Sequence, residues 1–250
     1  MIFVIHILLY KMVLLDLSNR KLTKIPIIPD DVTELNLSRN EITKIKNLPK
    51  NLQTLYSHHN KITKIENLPD LLQELYLYNN QIAKIENLPE NLQHLDLSNN
   101  QITKIENLPN SLQELDLGIN QITKIENLPE NLQRLDLFNN QITKIEKLPD
   151  SLQELYLENN QILEIPLSLL ESRHLTAFDY CNNPIENIHP LVQRWLERLN
   201  HGTIGGNNKV YSDGQNIHNS TIQKSFRNSL GNLLKDKNTL SLEECKKHVL

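Results

Sequence analysis

Leu92-Gln-His-Leu95-Asp-Leu97-Ser-Asn-Asn100-Gln-Ile102-Thr-Lys-Ile105-Glu-Asn-Leu108-Pro109 is the stretch that decides how this chain folds. Its second half, Gln101 to Pro109, recurs almost unchanged at 81–89 and at 121–129, so Gln81, Gln101 and Gln121 mark one constant step. Leucines return at 112, 115 and 117, again at 132, 135 and 137, and again at 152, 155 and 157. Upstream, the leading position runs back through Leu72, Leu52, Val32 and Met12. The last unit, Leu175-x-x-Phe178-x-Tyr180-x-x-Asn183-x-Ile185-x-x-Ile188, follows Leu152 across a longer stride than the one from Leu132 to Leu152. Self-similarity at a fixed short period is the mark of a solenoid, in which each unit contacts only its neighbours. About nine units span residues 12–190.

The residue types say how one unit is built. Leu95-x-Leu97 alternates with period two, so both leucines point to one side of a short strand and Asp96 to the other. Asn100 stands where the chain leaves the strand, and its amide can donate to and accept from backbone groups that have lost their ladder partners. Copies at Asn40, Asn60, Asn80, Asn100, Asn120, Asn140, Asn160 and Asn183 predict an asparagine ladder. Ile102, Ile105 and Leu108 return the chain beneath the strand. Leu112 already opens the next unit, which leaves no room for a long helix, so the outer arc is expected to be extended or 3-10. Two departures stand out: Arg20 replaces the first asparagine, and Ser57 replaces a core leucine, which predicts a packing defect.

This pattern resembles that of leucine-rich-repeat proteins. The resemblance implies an α/β-type repeat solenoid with a curved parallel β-sheet on its concave face. The short period, with Leu-Pro before each Leu-x-x-Leu-x-Leu, looks like the class found in bacterial effector proteins. The whole chain, including Gln215-Asn-Ile-His218 and Ile222-Gln-Lys-Ser225, is similar to leucine-rich-repeat proteins of amoeba-infecting giant viruses.

Composition narrows the possible roles. Of 250 residues 38% are hydrophobic and 22% charged, which is enough for a sizeable core. Residues 1–200 hold 19 Lys/Arg against 26 Asp/Glu, a poor surface for nucleic acid. The only cysteines, Cys181 and Cys245, cannot build a disulfide framework and fit a reducing compartment. The expected location is therefore the cytoplasm, that of the host cell if the chain is viral. The alternative is a secreted or membrane-associated protein that uses the apolar segment Met1 to Tyr10 for targeting. That segment has no basic start and no small-residue cleavage site, and it is too short to span a bilayer. These features favour an edge that covers the end of the solenoid over residues 1–11.

Unit-to-unit variation gathers on the strand positions that face into the curve. One column reads Glu34, Thr54, Glu74, His94, Glu114, Arg134, Glu154; the next reads Asp16, Asn36, Tyr56, Tyr76, Asp96, Asp116, Asp136, Tyr156; a third reads Ser38, His58, Tyr78, Ser98, Gly118, Phe138, Glu158. Aromatics among carboxylates on a rigid sheet suit a protein partner with a basic patch. The expected contacts are Tyr56, Tyr76, Tyr78, Phe138, Tyr156, Glu74, Asp96, Glu114, Asp116, Arg134, Asp136 and Glu154. The alternative is that the acids solubilise the sheet and the tyrosines stack on one another across strands. Outward rows of Lys44 to Lys144 and Glu66 to Glu146 read as a solvated face.

No phosphate-cradling loop, His-Glu-x-x-His or Gly-x-Ser-x-Gly occurs, so no enzyme, cofactor or small-molecule substrate is expected. His58-His59 is not expected to bind metal, because adjacent strand residues point to opposite faces. Bacterial effectors of this repeat class can carry a ubiquitin-ligase domain with a cysteine nucleophile, but the residues after the repeats are too few for one. The segment 191–200 is expected to be a capping helix with Leu191, Trp195 and Leu199 on one stripe. Beyond it, 201–250 reads as a glycine-rich linker and a small basic helical tail, with capping signals at Ser220 and Ser241. The reading is a monomeric interaction module, with the tail as a possible second contact that would make it an adaptor.

Overall fold

The computed structural model describes residues 13–202, with side chains to residue 199. The expected N-terminal edge at 1–11 lies outside the described residues, as do the linker and tail beyond Gly202. The chain divides into residues 1–199 and 200–250, and the repeats belong to the first of these units.

Nine three-residue strands occur in chain order: β1 (Leu14–Asp16), β2 (Glu34–Asn36), β3 (Thr54–Tyr56), β4 (Glu74–Tyr76), β5 (His94–Asp96), β6 (Glu114–Asp116), β7 (Arg134–Asp136), β8 (Glu154–Tyr156) and β9 (Ala177–Asp179). They form one curved parallel sheet in which each strand pairs only with its neighbours in sequence. The register is constant from rung to rung, Leu75 opposite Leu95 and Leu95 opposite Leu115, until Leu155 meets Phe178. The longer step holds the one regular turn among the described outer arcs, a 3-10 helix at Leu167–Glu171. Elsewhere the outer arcs are extended, as so short a turn of chain requires.

The core is a set of stacked rows. Leu92, Leu97, Ile102 and Ile105 are fully buried, as are, to within 1% exposure, their equivalents at 112, 117, 122 and 125. Removing any one such side chain would cost roughly 2–5 kcal/mol, because two neighbouring units lose contacts as well. Leu108 and its copies at 48, 68, 88 and 128 are partly buried against the same core, and Leu148 is buried within it. At each Leu-Pro step a tight turn follows, with Leu112 N–H donating to the Pro109 carbonyl (3.2 Å), so the proline ring ends the outer arc and starts the next strand.

The asparagine ladder is formed. Asn100 Nδ2 donates to the carbonyls of Leu77 (3.1 Å) and Leu97 (3.0 Å), while its Oδ1 accepts the Ile82 N–H at 2.9 Å. The pattern repeats at Asn40, Asn60, Asn80, Asn120, Asn140, Asn160 and Asn183. Arg20, lacking that amide, gives up its own N–H to Asn40 Oδ1. A second ladder, not foreseen from the sequence, runs along the outer side. Asn67, Asn87, Asn107 and Asn127 adopt left-handed backbone and donate to the carbonyls of Ile45, Ile65, Ile85 and Ile105 in the preceding unit.

At the end of the repeats, α1 (Pro190–Gly202) lies with Val192 and Leu196 buried and Trp195 packed against the core, its ring 6.4 Å from that of Phe178. Leu191 is 51% exposed, which corrects the expected stripe. Positions four apart drift by about 40° per step around a helix, whereas 192, 195, 196 and 199 stay within one stripe.

Two positions are suboptimal. Ser57 fills a leucine position at 1% exposure, and its Oγ has no hydrogen-bond partner. Ser57→Leu is expected to raise stability by about 1–2 kcal/mol, through apolar burial and removal of an orphaned hydroxyl, read as a higher urea midpoint. The residue before each ladder asparagine has positive φ, and at 79, 99, 139 and 159 it is itself asparagine, but at 119 it is isoleucine with φ 53°. Ile119→Asn is expected to gain about 1 kcal/mol in the same measurement, because a β-branched side chain is strained there.

Candidate protein-binding face

The strand positions that alternate with the leucines line the concave face, and they fall into two neighbouring districts. In the first, β3 and β4 bring aromatics together. Tyr56 and Tyr76 stack at 4.9 Å with planes 8° apart. Further along each unit, His58 stacks on Tyr78 at 4.2 Å. The sequence expectation that His58 and His59 point to opposite faces is corrected: their Nδ1 atoms lie 3.0 Å apart. They follow the end of β3, and His59 has φ 54°, so strand alternation no longer applies. Burial, with His59 and Arg39 close by, pushes the His58 imidazole down to about 3, so it is neutral at physiological pH. Among the described residues no group of three or more His, Cys, Asp or Glu is arranged to hold a metal ion.

The second district is acidic. Asp96, Asp116, Asp136 and Asp179 stand at equivalent positions of β5, β6, β7 and β9. Each has a local task, accepting the N–H two residues on: Ser98 at 2.9 Å, Gly118 at 2.9 Å, Phe138 at 3.2 Å and Cys181 at 3.1 Å. That bond ties the strand end to the turn, a role the sequence reading did not assign. Stacking carboxylates on successive rungs has an electrostatic consequence. Burial raises Asp96 and Asp136 to about 6, and burial with Asp96 and Asp136 on either side raises Asp116 well above the ordinary carboxylate range. Glu158, with a buried Oε2 that lacks any hydrogen-bond partner, is pushed up to about 9 by burial and by Asp179 and Asp136.

Arg134, in the neighbouring column between Glu114 and Glu154, reaches across to the acids. Its guanidinium lies 4.5 Å over the Tyr156 ring, bonds to Glu154 and approaches Asp136 at 3.7 Å. Tyr156 and Asp136 are consequently buried, 4% and 5% exposed, and are not the open contacts expected of them. Tyr56, Tyr76, Tyr78, Phe138, Glu74, Asp96 and Asp116 are half-buried with part of each side chain reaching the surface, and Glu114 is exposed. Phe138 lies over Gly118, in the space a Cβ there would need, so the missing side chain after β6 makes room for the ring.

A family profile described as leucine-rich repeats in two copies matches residues 90–130 and 130–172. The fold is a leucine-rich-repeat solenoid. Among solved structures it is similar to YopM from Yersinia enterocolitica, with 29% identity, a TM-score of 0.65, and coverage of 72% of this chain and 39% of that one. It is also similar to the leucine-rich-repeat domain of a Shigella effector, with 25% identity, a TM-score of 0.50, and coverage of 76% and 77%. The functional domain of InlJ from Listeria monocytogenes shares the fold at 24% identity and a TM-score of 0.54, with coverage of 69% and 45%. The chain thus spans less than half the length of the YopM and InlJ chains it matches. No curated protein matches it.

These likenesses correct one expectation. Few cysteines suggested a cytoplasmic protein, with secretion the less favoured alternative, but the solenoid is similar to those of bacterial leucine-rich-repeat proteins that include an effector. Cysteine content is no guide to compartment in this fold, because the units are joined by asparagine hydrogen-bond ladders, which are indifferent to redox state and need no disulfides. No helix among the described residues is long and apolar enough to cross a membrane.

The acidic column makes the leucine-rich-repeat solenoid's stability depend on pH. A carboxyl whose pKa is higher folded than unfolded contributes stability that is complete below its unfolded value, near 3.8, and is lost as pH rises through the folded value. Urea midpoints are therefore expected to fall between pH 4.5 and pH 7. Asp116→Asn keeps an oxygen for the Gly118 N–H, as Asn36 does for Ser38, and removes the central charge. It is expected to flatten that decline and to stabilise the protein by about 1 kcal/mol at pH 7.5.

Proposed function

We propose that the leucine-rich-repeat unit is the non-enzymatic recognition module of an exported protein, and that it binds a protein partner through a Lys/Arg-rich patch seated on the concave face. The observation that carries this reading is the column Asp96, Asp116 and Asp136, with Glu158 beside it, faced by the guanidinium of Arg134. Carboxylates held this close raise one another's free energy, and an incoming cation relieves the repulsion. The half-buried Tyr56, Tyr76, Tyr78 and Phe138 add contact area at little cost in side-chain entropy, and Glu74 and Glu114 border the acids. Arg134, Asp136, Glu154 and Tyr156 serve the same face as its internally bonded floor. Nucleic acid and small-molecule substrates do not suit so acidic and open a surface.

Export agrees with the kinship to an effector repeat domain, and the apolar segment Met1 to Tyr10 is the stretch that would carry a targeting signal. If the chain also shares the origin of the giant-virus repeat proteins that its sequence resembles, the partner is a protein of the infected host. A basic tail at 201–250 that contacted a second protein would make the molecule an adaptor. If it does, the full chain and a 1–200 truncation will capture different sets of proteins.

The central test uses Asp96→Asn, Asp116→Asn and Asp136→Asn together, since asparagine preserves the turn hydrogen bonds. A partner captured by cross-linking and then purified is expected to bind this variant on the order of 100-fold more weakly than the parent, with the parent's affinity falling steeply with salt. Equal affinities, or affinity insensitive to salt, would show that the acids serve the fold alone.

A further inference from the structure

The chain shows, within itself, how its concave face holds a guanidinium. On β7 and β8 the register sets Arg134 opposite Glu154 and Asp136 opposite Tyr156. Tyr156 Oη donates to its own strand's Glu154 at 3.0 Å, and the Arg134 guanidinium sits over the ring, bonded to Glu154 and beside Asp136. The receptor for that cation has three parts: a tyrosine face, the glutamate two residues before it, and an aspartate on the adjoining strand.

The same three parts occur on β4 and β5. Tyr76 Oη donates to Glu74 Oε2 at 3.1 Å, and Tyr76 stands opposite Asp96, as Tyr156 stands opposite Asp136. The arrangement is mirrored, because here the aspartate strand follows the tyrosine strand. The residue in Arg134's place is His94, and its Nδ1 turns away to Glu114, 3.3 Å distant on the next strand. On the β3 side Tyr76 is covered by Tyr56, but among the described residues no ring stacks on it from the β5 side and no ion pair reaches Glu74 or Asp96. Asp96 commits Oδ1 to the Ser98 N–H and hydroxyl, at 2.9 and 2.7 Å, which leaves its second oxygen for a ligand. All three residues are partly open to solvent.

We infer that Glu74, Tyr76 and Asp96 form a subsite for the guanidinium of an arginine on the protein partner. The inference rests on the proposed recognition of a basic partner and narrows it to one residue type at one place. A planar guanidinium can stack on Tyr76 while its fork bridges the Glu74 and Asp96 carboxylates; a lysine ammonium offers a point charge with neither the plane nor the fork.

The test titrates the isotope-labelled full chain with an acetylated, amidated hexa-arginine and with its hexalysine counterpart at the same ionic strength. The arginine peptide is expected to shift the amides of Leu75, Tyr76, Leu77 and Leu95 and to bind about tenfold more tightly than the lysine peptide. Glu74→Gln, a change at a partly exposed position, is expected to bring the arginine affinity down to the lysine level, and Tyr76→Leu to do the same with an unchanged far-ultraviolet circular-dichroism spectrum. Equal affinities for the two peptides, or an unaltered arginine preference in Glu74→Gln, overturns the subsite. Shifts confined to Glu114 to Asp136 also overturn it while leaving basic-partner recognition standing. Absence of shifts at every concave position removes both.

Discussion

A coil this short closes on a strand of only three residues, and although main-chain bonds continue on either side of it, groups at each strand exit such as the Leu77 and Leu97 carbonyls and the Ile82 N–H are met by the amide of one asparagine per unit. In each rung the side chain donates to carbonyls of its own and the preceding unit and accepts an N–H from the preceding unit's outer arc. Buried backbone groups left unbonded would cost about 1–3 kcal/mol each, so the amide turns a weak stretch of chain into a firm joint. The joint is also what holds the period constant. A residue added or lost between two asparagines would shift every later leucine out of its row, and the one tolerated insertion, before β9, is absorbed by a 3-10 helix.

Constant period has an electrostatic consequence on the concave side. Equivalent positions of neighbouring strands stand one strand spacing apart, about 4.8 Å, so any residue type repeated down a column meets its own kind. Where the type is leucine this builds the core. Where it is tyrosine or histidine it yields the stacks Tyr56 on Tyr76 and His58 on Tyr78. Where it is aspartate it sets like charges side by side. The asparagine at position 36 performs the same turn bond without the charge, so hydrogen bonding at the strand end does not require an acid. The proposed recognition of a basic surface would give the acids a reason to be there, and Arg134 shows how this face holds a cation supplied from within.

The outer arcs obey the same logic with other residues. Asn67, Asn87, Asn107 and Asn127 take left-handed backbone, which asparagine tolerates better than most residues, and direct their amides to the unit before. The near-identity of these arcs from unit to unit therefore reflects a structural demand, whereas the variety on the strands reflects freedom to specialise. Ile119 beside Gly118, both departing from the Ser-Asn of the unit before, and Phe138 lying over that glycine, mark where the regular pattern yields to a local surface.

The sequence by itself determined the solenoid, the strand positions, the ladder asparagines and the rows of leucine and isoleucine, because each rests on a period that can be counted along the chain. It also marked Ser57 as a defect, since one polar residue in a column of leucines is visible without coordinates. Only the tertiary structure decided which members of the concave columns are open: Tyr156 and Asp136 lie buried beneath Arg134, while Tyr76 and Asp96, alike in sequence, keep a free side. It likewise decided that His58 meets His59 and that α1 buries Val192 and Leu196 in place of Leu191. Those outcomes depend on backbone leaving the strand conformation and on side chains competing for the same neighbour across strands. Neither is written in a spacing: the first is a local backbone angle, as at His59, and the second is settled by distances between residues a full repeat apart in the chain and in contact in space.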